Sequence, residues 1–153
     1  MYSTDNQSSD FQEILQRVRK PLFAAGADVD QDSRQAGAEN ERCGDSVKLY
    51  FQLDDEAKNT DDPLIRAAKH LTVGCSVCCL AADLLCETIT GCRISKARNI
   101  VQQLRTWQTD PDAPAPESMN RELAALQAIR GKRSRARCFL LPLEALENLM
   151  SSL

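Results

Sequence analysis

Cysteine, which can act as a nucleophile or as a metal ligand, is the residue type in this sequence most suited to chemistry. The 153-residue chain contains seven cysteines. They are Cys43, Cys75, Cys78, Cys79, Cys86, Cys92 and Cys138. We expect a cytoplasmic protein, because the N-terminus MYSTDNQSSD lacks the basic and apolar regions of a secretory signal. An odd number of cysteines in a reducing compartment argues against a disulfide framework and favours metal or thiol chemistry.

Three of the cysteines lie at predicted boundaries between secondary-structure elements. Cys43 precedes the first clear strand, Cys75 ends a hairpin and begins a helix, and Cys138 begins the last helix. Zinc favours thiolates with one further N or O ligand, and iron-sulfur clusters are also held by thiolates. Asp45, two residues after Cys43, is a candidate fourth ligand. Spacing alone does not select these three cysteines, because the sequence offers a single CxxC pair, Cys75 and Cys78.

The other candidate residues have simpler interpretations beside their chemical ones. Cys78 and Cys79 follow Cys75 on the same helical face, as alternative ligands or persulfide relays, although such positions are more often core. We expect Cys86 on the apolar side of a helix and Cys92 in a turn. The only histidine, His70, lies in the apolar run AAKHLTV, so we expect a packed or hydrogen-bonded side chain and no hydrolase built on it.

Hydrophobic periodicity predicts the elements that would position these residues. Apolar residues at 11, 14, 15 and 18 follow helical spacing, whereas residues 24–42 have no clear period and suggest an irregular or weakly stranded connection. Residues 46–53 alternate as a half-buried strand does, and residues 64–73 return as the second arm of a hairpin. Helices are predicted over residues 76–89, 95–107, 119–129 and 138–150, with the loop TDPDAPAPES between the second and the third.

Together these elements predict an α+β domain in which helices pack on one face of a small antiparallel β-sheet. The length suits one core, so we expect a single domain over residues 11–153 after a flexible N-terminus at 1–10. No apolar run reaches the ~18 residues of a membrane span. A net charge of −3 and only four Phe, two Tyr and one Trp argue against nucleic-acid binding, despite the basic residues from Arg130 to Arg137.

Sequence blocks around Cys43, Cys75 and Cys138 resemble a known family. In CGDSVKL, the residues CGD are followed by a predicted strand. VGC is followed by a predicted helix, and RC has AL further downstream. The order of the blocks and of the elements between them is similar to that of the NifU/IscU/SufU scaffolds of iron-sulfur cluster assembly, over roughly residues 37–150. The resemblance implies a SufE/NifU-like fold and a scaffold or sulfur carrier rather than an enzyme.

The resemblance also implies ligands and partners. Cys43, Asp45, Cys75 and Cys138 would bind Zn2+ or a nascent [2Fe-2S] cluster, a cysteine desulfurase would supply persulfide sulfur, and apo iron-sulfur proteins would accept the cluster. The sequence is closer to the SufU-type branch, because Arg137 stands where Isc-type members carry histidine and GKRSRARC lacks their LPPVK-like chaperone motif. The stretch between Cys75 and Cys138 is also extended. This branch favours a zinc-bound sulfur acceptor.

Within this set we expect Cys138 to accept sulfur first. The thiolate is both the metal ligand and the nucleophile that attacks a persulfide, so an acceptor needs a lowered pKa and some exposure. A helix N-terminus and the neighbouring Arg135 and Arg137 would lower the pKa of Cys138. Two alternatives stay open: a zinc-stabilised interaction module with a closed site, and a thiol redox sensor that uses Cys75 and Cys78 and binds no metal.

Overall fold

The computed structural model describes residues 4–26, 29–30, 32–54, 60–114, 116–117, 126 and 133–153. These residues form three strands and four helices. The strands are β1 (Arg34–Glu39), β2 (Ser46–Leu53) and β3 (Ile65–Val73), and the helices are α1 (Thr4–Arg19), α2 (Ser76–Ile89), α3 (Ile94–Thr109) and α4 (Arg133–Ser151). The helix predicted at 119–129 lies outside the described residues, apart from the buried Leu126.

The sheet is antiparallel, with β2 in the centre and β1 and β3 on either side. The predicted alternation in β2 is confirmed, since Val47, Leu49 and Phe51 are buried and Lys48 is exposed. β1 forms in a segment without a clear hydrophobic pattern. Its six residues pair with β2 and pack against α4, so tertiary contacts rather than local propensity account for this strand.

The helices cover one face of the sheet, as the α+β class predicts. α2 packs against β3, α4 packs against β1 and β2, and α3 packs against α4. α2 is apolar around most of its circumference because it lies between the sheet and α4. Within this core the rings of Trp107 and Phe139 lie 5.7 Å apart between their centroids. Among the described helices, none combines the length and apolar character needed to cross a membrane.

The strand register brings two distant loops to the same end of the sheet. Glu39 of β1 is paired with Ser46 of β2, and Ser46 is paired in turn with Val73 of β3. The loop at 40–45 and the connection at 74–75 therefore leave the sheet side by side. Both segments carry residues for which the sequence predicts chemistry.

A buried carboxylate attaches α1 and the segment after it to α2. Asp83 of α2 is 0% exposed, and its Oδ2 accepts a hydrogen bond of 2.7 Å from Nε of Arg17 in α1. The backbone N–H groups of Leu22 and Phe23 donate to the same carboxylate at 3.2 and 2.8 Å. α1 begins at Thr4, earlier than the predicted start near Phe11.

The Asp83 cluster generates a prediction about acid stability. Burial raises the pKa of Asp83, but the hydrogen bonds from His70, Arg17 and the backbone outweigh it and hold the pKa below its ordinary value of 3.8. A carboxyl with a depressed folded-state pKa stabilises the fold above the unfolded-state pKa, and this contribution is lost as the pH falls through the folded-state pKa. We expect Asp83→Asn to lower the free energy of unfolding at neutral pH, and this difference from wild type to shrink at pH values below 3.8.

Urea unfolding at a series of pH values measures this difference. Asp61→Asn is the matched control, because it removes a carboxylate that is exposed. An Asp83→Asn deficit that stays constant into strong acid would contradict the assignment of a stabilising buried charge.

Candidate metal centre

The loop between β1 and β2 is held by Asn40 and turned by Gly44. The backbone N–H of Asn40 donates to the carbonyl of Asp45 at 2.8 Å, and the N–H of Gly44 donates to the carbonyl of Asn40 at 2.9 Å. Gly44 has a φ of +75°, in the left-handed region that favours glycine. This geometry turns the Asp45 side chain inward, where it is buried, and leaves Cys43 exposed at the rim.

The connection between β3 and α2 contributes Cys75 and makes room for Asp45. Cys75 occupies the N-cap of α2, which confirms its predicted place at a helix start, and its thiol makes no capping hydrogen bond. A helix N-terminus favours negative charge on such a thiol by about 0.3–1 kcal/mol. Gly74 is closely packed, because a Cβ at this position would lie 2.8 Å from Cγ of Asp45. Only glycine lets the two segments approach this closely.

Cys138 reaches the same place from α4. The helix begins at Arg133, so the prediction that Cys138 begins it is wrong, and the cysteine lies further along the helix. It faces the sheet because α4 packs against β1 and β2, and it is 8% exposed. Pro142 lies one turn beyond and has no N–H to donate to the carbonyl of Cys138, so the regular helical bond is absent at this point.

Three of the four predicted ligands converge. One ligand atom each from Asp45, Cys75 and Cys138 lies within 4.8 Å of the others. The Cys138 Sγ is 3.8 Å from Oδ2 of Asp45, and tetrahedral ligands about 2.3 Å from a zinc ion are themselves roughly 3.7 Å apart. Two thiols and one carboxylate at this spacing are a donor set that fits Zn2+ or cluster iron. The fourth, Cys43, lines the same cavity without joining this group.

The protein groups alone keep the Cys138 thiol protonated. Burial, a hydrogen bond with Cys75 and the negative charges of Cys75, Asp45 and Cys43 raise the pKa of Cys138 to about 12. The prediction of a lowered pKa is therefore wrong, because desolvation and nearby acidic groups raise the pKa, whereas Arg135 and Arg137 are exposed to solvent. A cation bound among Asp45, Cys75 and Cys138 would stabilise the charged carboxylate and both thiolates together.

A cavity of about 900 Å3 gives access to the three converging residues. Its wall includes Cys43 and the exposed Arg42, Arg135 and Arg137. The cavity therefore has an acidic, buried floor and a basic, exposed rim.

The side chains of the remaining cysteines and of the histidine are buried or hydrogen-bonded within the fold. Cys78 is fully buried, which raises the pKa of its thiol and confirms the core interpretation. Cys79 donates from Sγ to the carbonyl of Gly74 at 3.8 Å, and Cys92 donates to the carbonyl of Thr88 at 3.4 Å. Cys86 is buried on the apolar side of α2, as expected. Both ring nitrogens of His70 lie within hydrogen-bond distance of other side chains, as predicted.

Sequence reasoning missed two residues that build this site. Asn40 precedes the CGD block; its backbone groups close the loop, and its side-chain Oδ1 accepts a hydrogen bond of 3.2 Å from the backbone N–H of Arg42. Its only signal was its type, because asparagine often bonds to backbone groups in turns. Gly74 was part of a recognised block, but the steric reason for it, the Asp45 carboxyl, is visible only in three dimensions.

Comparison with known proteins assigns the family. The NifU-like N terminal domain family matches residues 11–138, and the chain therefore belongs to this family. The prediction drawn from the three cysteine blocks is confirmed.

Individual relatives agree with this assignment. Over 114 residues the sequence is 21% identical to the iron-sulfur cluster assembly scaffold protein IscU of Thermotoga maritima, with 74% of each chain covered. A crystal structure described as a putative scaffold for the SUF system, from Fervidobacterium islandicum AW-1, has a TM-score of 0.71 at 20% identity and covers 90% of this chain and 93% of its own. The N-terminal part of a NifU-like protein from Brucella abortus has a TM-score of 0.68 at 15% identity, with 94% of each chain covered. These structures share the fold.

The close packing of Gly74 on Asp45 generates a second prediction. We expect Gly74→Ala to displace the Asp45 carboxyl and to weaken Zn2+ binding by about tenfold or more, as changes beside a metal ligand commonly do. Competition with a chromophoric chelator measures the affinity. Gly91→Ala is the control, because it strains the backbone (φ +84°) while its added Cβ meets no atom within 4 Å. Equal affinities for the two variants would show that the close packing of Gly74 on Asp45 does not affect Zn2+ binding.

Proposed function

We propose that residues 11–153 form one scaffold domain of iron-sulfur cluster assembly, with Cys43, Asp45, Cys75 and Cys138 as its ligands. The observation that supports this most directly is the convergence of Asp45, Cys75 and Cys138 within 4.8 Å at one end of the sheet. Family membership and the IscU relative support the same function. In this proposal Cys43, exposed on the cavity wall, turns inward to complete the set.

Zinc and a [2Fe-2S] cluster are the two occupants that this donor set suits. Thiolates bind both, and the Asp45 oxygen is a harder and weaker ligand that eases release of soft-metal cargo. A resident zinc ion would hold the thiols deprotonated. The cluster is cargo, assembled on the same residues and passed to apo iron-sulfur proteins.

Sulfur enters through Cys138 in our proposal. The thiolate of Cys138 attacks the terminal sulfur of a persulfide on a cysteine desulfurase, a new S–S bond forms on Cys138, and the desulfurase cysteine leaves as a thiolate. No external oxidant or reductant is needed. The protein groups raise the pKa of Cys138, and a cation at the site would favour its thiolate. Arg42, Arg135 and Arg137 on the rim suit an acidic patch on the donor.

The SufU-type branch is the proposed place of this chain within the family, and the cytoplasm is its proposed compartment. Arg137 before Cys138 and the missing LPPVK-like motif carry the branch assignment. The fold shared with the putative SUF-system scaffold is compatible with it.

A zinc-stabilised interaction module is the second candidate, because Asp45 and Cys138 are both buried as in a closed structural site. The exposure of Cys43 and the open cavity favour the scaffold. The redox sensor has less support. Its second cysteine, Cys78, is fully buried with a raised pKa, and such thiols react slowly.

Metal content tests the proposed function. We expect anaerobically purified protein to carry about one zinc ion or one labile [2Fe-2S] cluster per chain, seen by elemental analysis and absorption spectroscopy. Cys75→Ser should lower the occupancy strongly, whereas Cys92→Ser should match wild type because Cys92 lies away from the converging residues. Protein that binds neither metal nor cluster would defeat the proposal. Metal that resists chelators until the chain unfolds would favour the interaction module.

Persulfide mapping tests the sulfur acceptor. After incubation with a cysteine desulfurase and cysteine, we expect mass spectrometry to find the added sulfur on the peptide that contains Cys138, and Cys138→Ser to abolish stimulation of the desulfurase. Zinc-loaded protein should accept more sulfur than chelator-treated protein, because the bound cation favours the thiolate. Persulfide spread evenly over all seven cysteines, or confined to Cys78 and Cys79, would contradict the assignment.

A further inference from the structure

Cys75 lies in the short connection between β3 and α2. β3 ends at Val73 and α2 begins at Ser76, so only Gly74 and Cys75 separate the strand from the helix. A connection this short transmits any change in the angle between β3 and α2 directly to the Cys75 thiol. The contacts between β3 and α2 that fix this angle therefore help to position the Cys75 thiol.

A buried hydrogen bond joins β3 and α2 at a point away from Cys75. Nε2 of His70 in β3 lies 3.0 Å from Oδ1 of Asp83 in α2. His70 is 2% exposed and Asp83 is 0% exposed, so solvent does not compete for the pair. The other ring nitrogen of His70 lies 2.8 Å from the Thr72 hydroxyl, which orients the ring within the same strand. His70 stands five residues before Cys75 and Asp83 eight residues after it.

The segment after α1 binds both members of this pair. Asp83 accepts hydrogen bonds from Arg17 and from the N–H groups of Leu22 and Phe23. The backbone of His70 donates to the carbonyl of Phe23 at 3.0 Å and accepts from the N–H of Ala25 at 2.7 Å. The N-terminal segment, residues 17–25, is thus hydrogen-bonded to both β3 and α2, at the two residues that link them.

We propose that His70 and Asp83 are positioning residues for Cys75, and that they couple docking of the N-terminal segment to metal binding. The inference rests on the proposed function, since it concerns the same site. Asp45 makes the site sensitive to small movements, because its carboxyl packs directly on Gly74 and its Oδ2 is 3.8 Å from the Cys138 thiol. A shift of Gly74 and Cys75 therefore changes the distances among the three converging residues. Coupling is reciprocal, so metal binding tightens the attachment of the N-terminal segment.

Hydrogen exchange on the wild-type chain tests the coupling without any substitution. Zn2+ bound at Cys75 should slow amide exchange in the residues around it, and also in residues 17–25, which the cavity lining does not include. Exchange in α3 should be the internal reference. Protection of the metal site with unchanged exchange in residues 17–25 would overturn the coupling.

Two substitutions at His70 test the positioning role. His70→Leu removes the bond to Asp83, whereas His70→Gln keeps an amide N–H that can donate to it. We expect His70→Leu to bind Co2+ about tenfold more weakly than wild type, with altered visible absorption bands that report a changed ligand geometry, and His70→Gln to restore most of both. Leu104→Ala is the control for lost stability alone, because Leu104 is buried in α3 away from the site.

The outcomes separate this inference from the proposed function. A wild-type chain that binds neither Zn2+ nor Co2+ would defeat both. If wild type binds Co2+, but His70→Leu binds it with the same affinity and spectrum, the His70–Asp83 pair serves only the fold and the inference is wrong. The inference is equally wrong if Leu104→Ala changes the Co2+ affinity and spectrum as much as His70→Leu does, because general destabilisation would then explain the effect.

Discussion

The pairing of β2 with both of its neighbours is the constraint on which this site depends. Because Ser46 is paired with Glu39 and with Val73, the Cys43–Asp45 loop and the Gly74–Cys75 connection have to emerge at one end of the sheet. A slip by one residue would turn the buried side chains of β2 toward solvent, so the core opposes it. The register that buries Leu49 and Phe51 is thus the register that brings the loop of Asp45 beside Cys75.

Among the described residues, the buried carboxylates Asp83 and Asp45 have different surroundings. Asp83 accepts hydrogen bonds from Arg17, His70 and two backbone N–H groups, so protein groups compensate its charge and its pKa falls. Asp45 instead faces the Cys75 and Cys138 thiols, which are themselves acids. Protein groups stabilise the first carboxylate, and the second is best stabilised by a cation. This contrast distinguishes a structural charge from a candidate ligand more clearly than burial does, since both residues are buried.

Much of the fold could be predicted from sequence, because β2, β3, α2 and α3 carry strong local patterns. β1 could not be, since its six residues RQAGAE have no period and depend on β2 and α4 for their strand geometry. The start of α4 was also misplaced. Its first turns carry basic residues rather than an apolar stripe, so periodicity begins only near Cys138 although the helix begins at Arg133.

The site was predictable in its residue types but not in its electrostatics. Three of seven cysteines were selected by resemblance, because spacing contains no information about which elements meet. The pKa of Cys138 depends on burial and on Cys75 and Asp45, which are distant in sequence, whereas the neighbouring arginines that suggested a lowered pKa are exposed. Charges adjacent in sequence are the ones that sequence reasoning weighs, and solvent screens them most.

Exposure decreases from Cys43 to Asp45 and Cys138, and under the proposed function this gradient would let one set of ligands both hold and release a cluster. Cys43 is exposed at the rim, Cys75 is half-buried, and Asp45 and Cys138 form the buried floor. Ligands on the floor are fixed by the sheet end and by α4, so they favour retention. A ligand at the rim can leave the coordination sphere without disturbing the core, and the vacated position faces the open cavity. Under the proposed function, exchange of a cluster therefore requires the least reorganisation on the Cys43 side, where Arg42 and Arg137 are exposed.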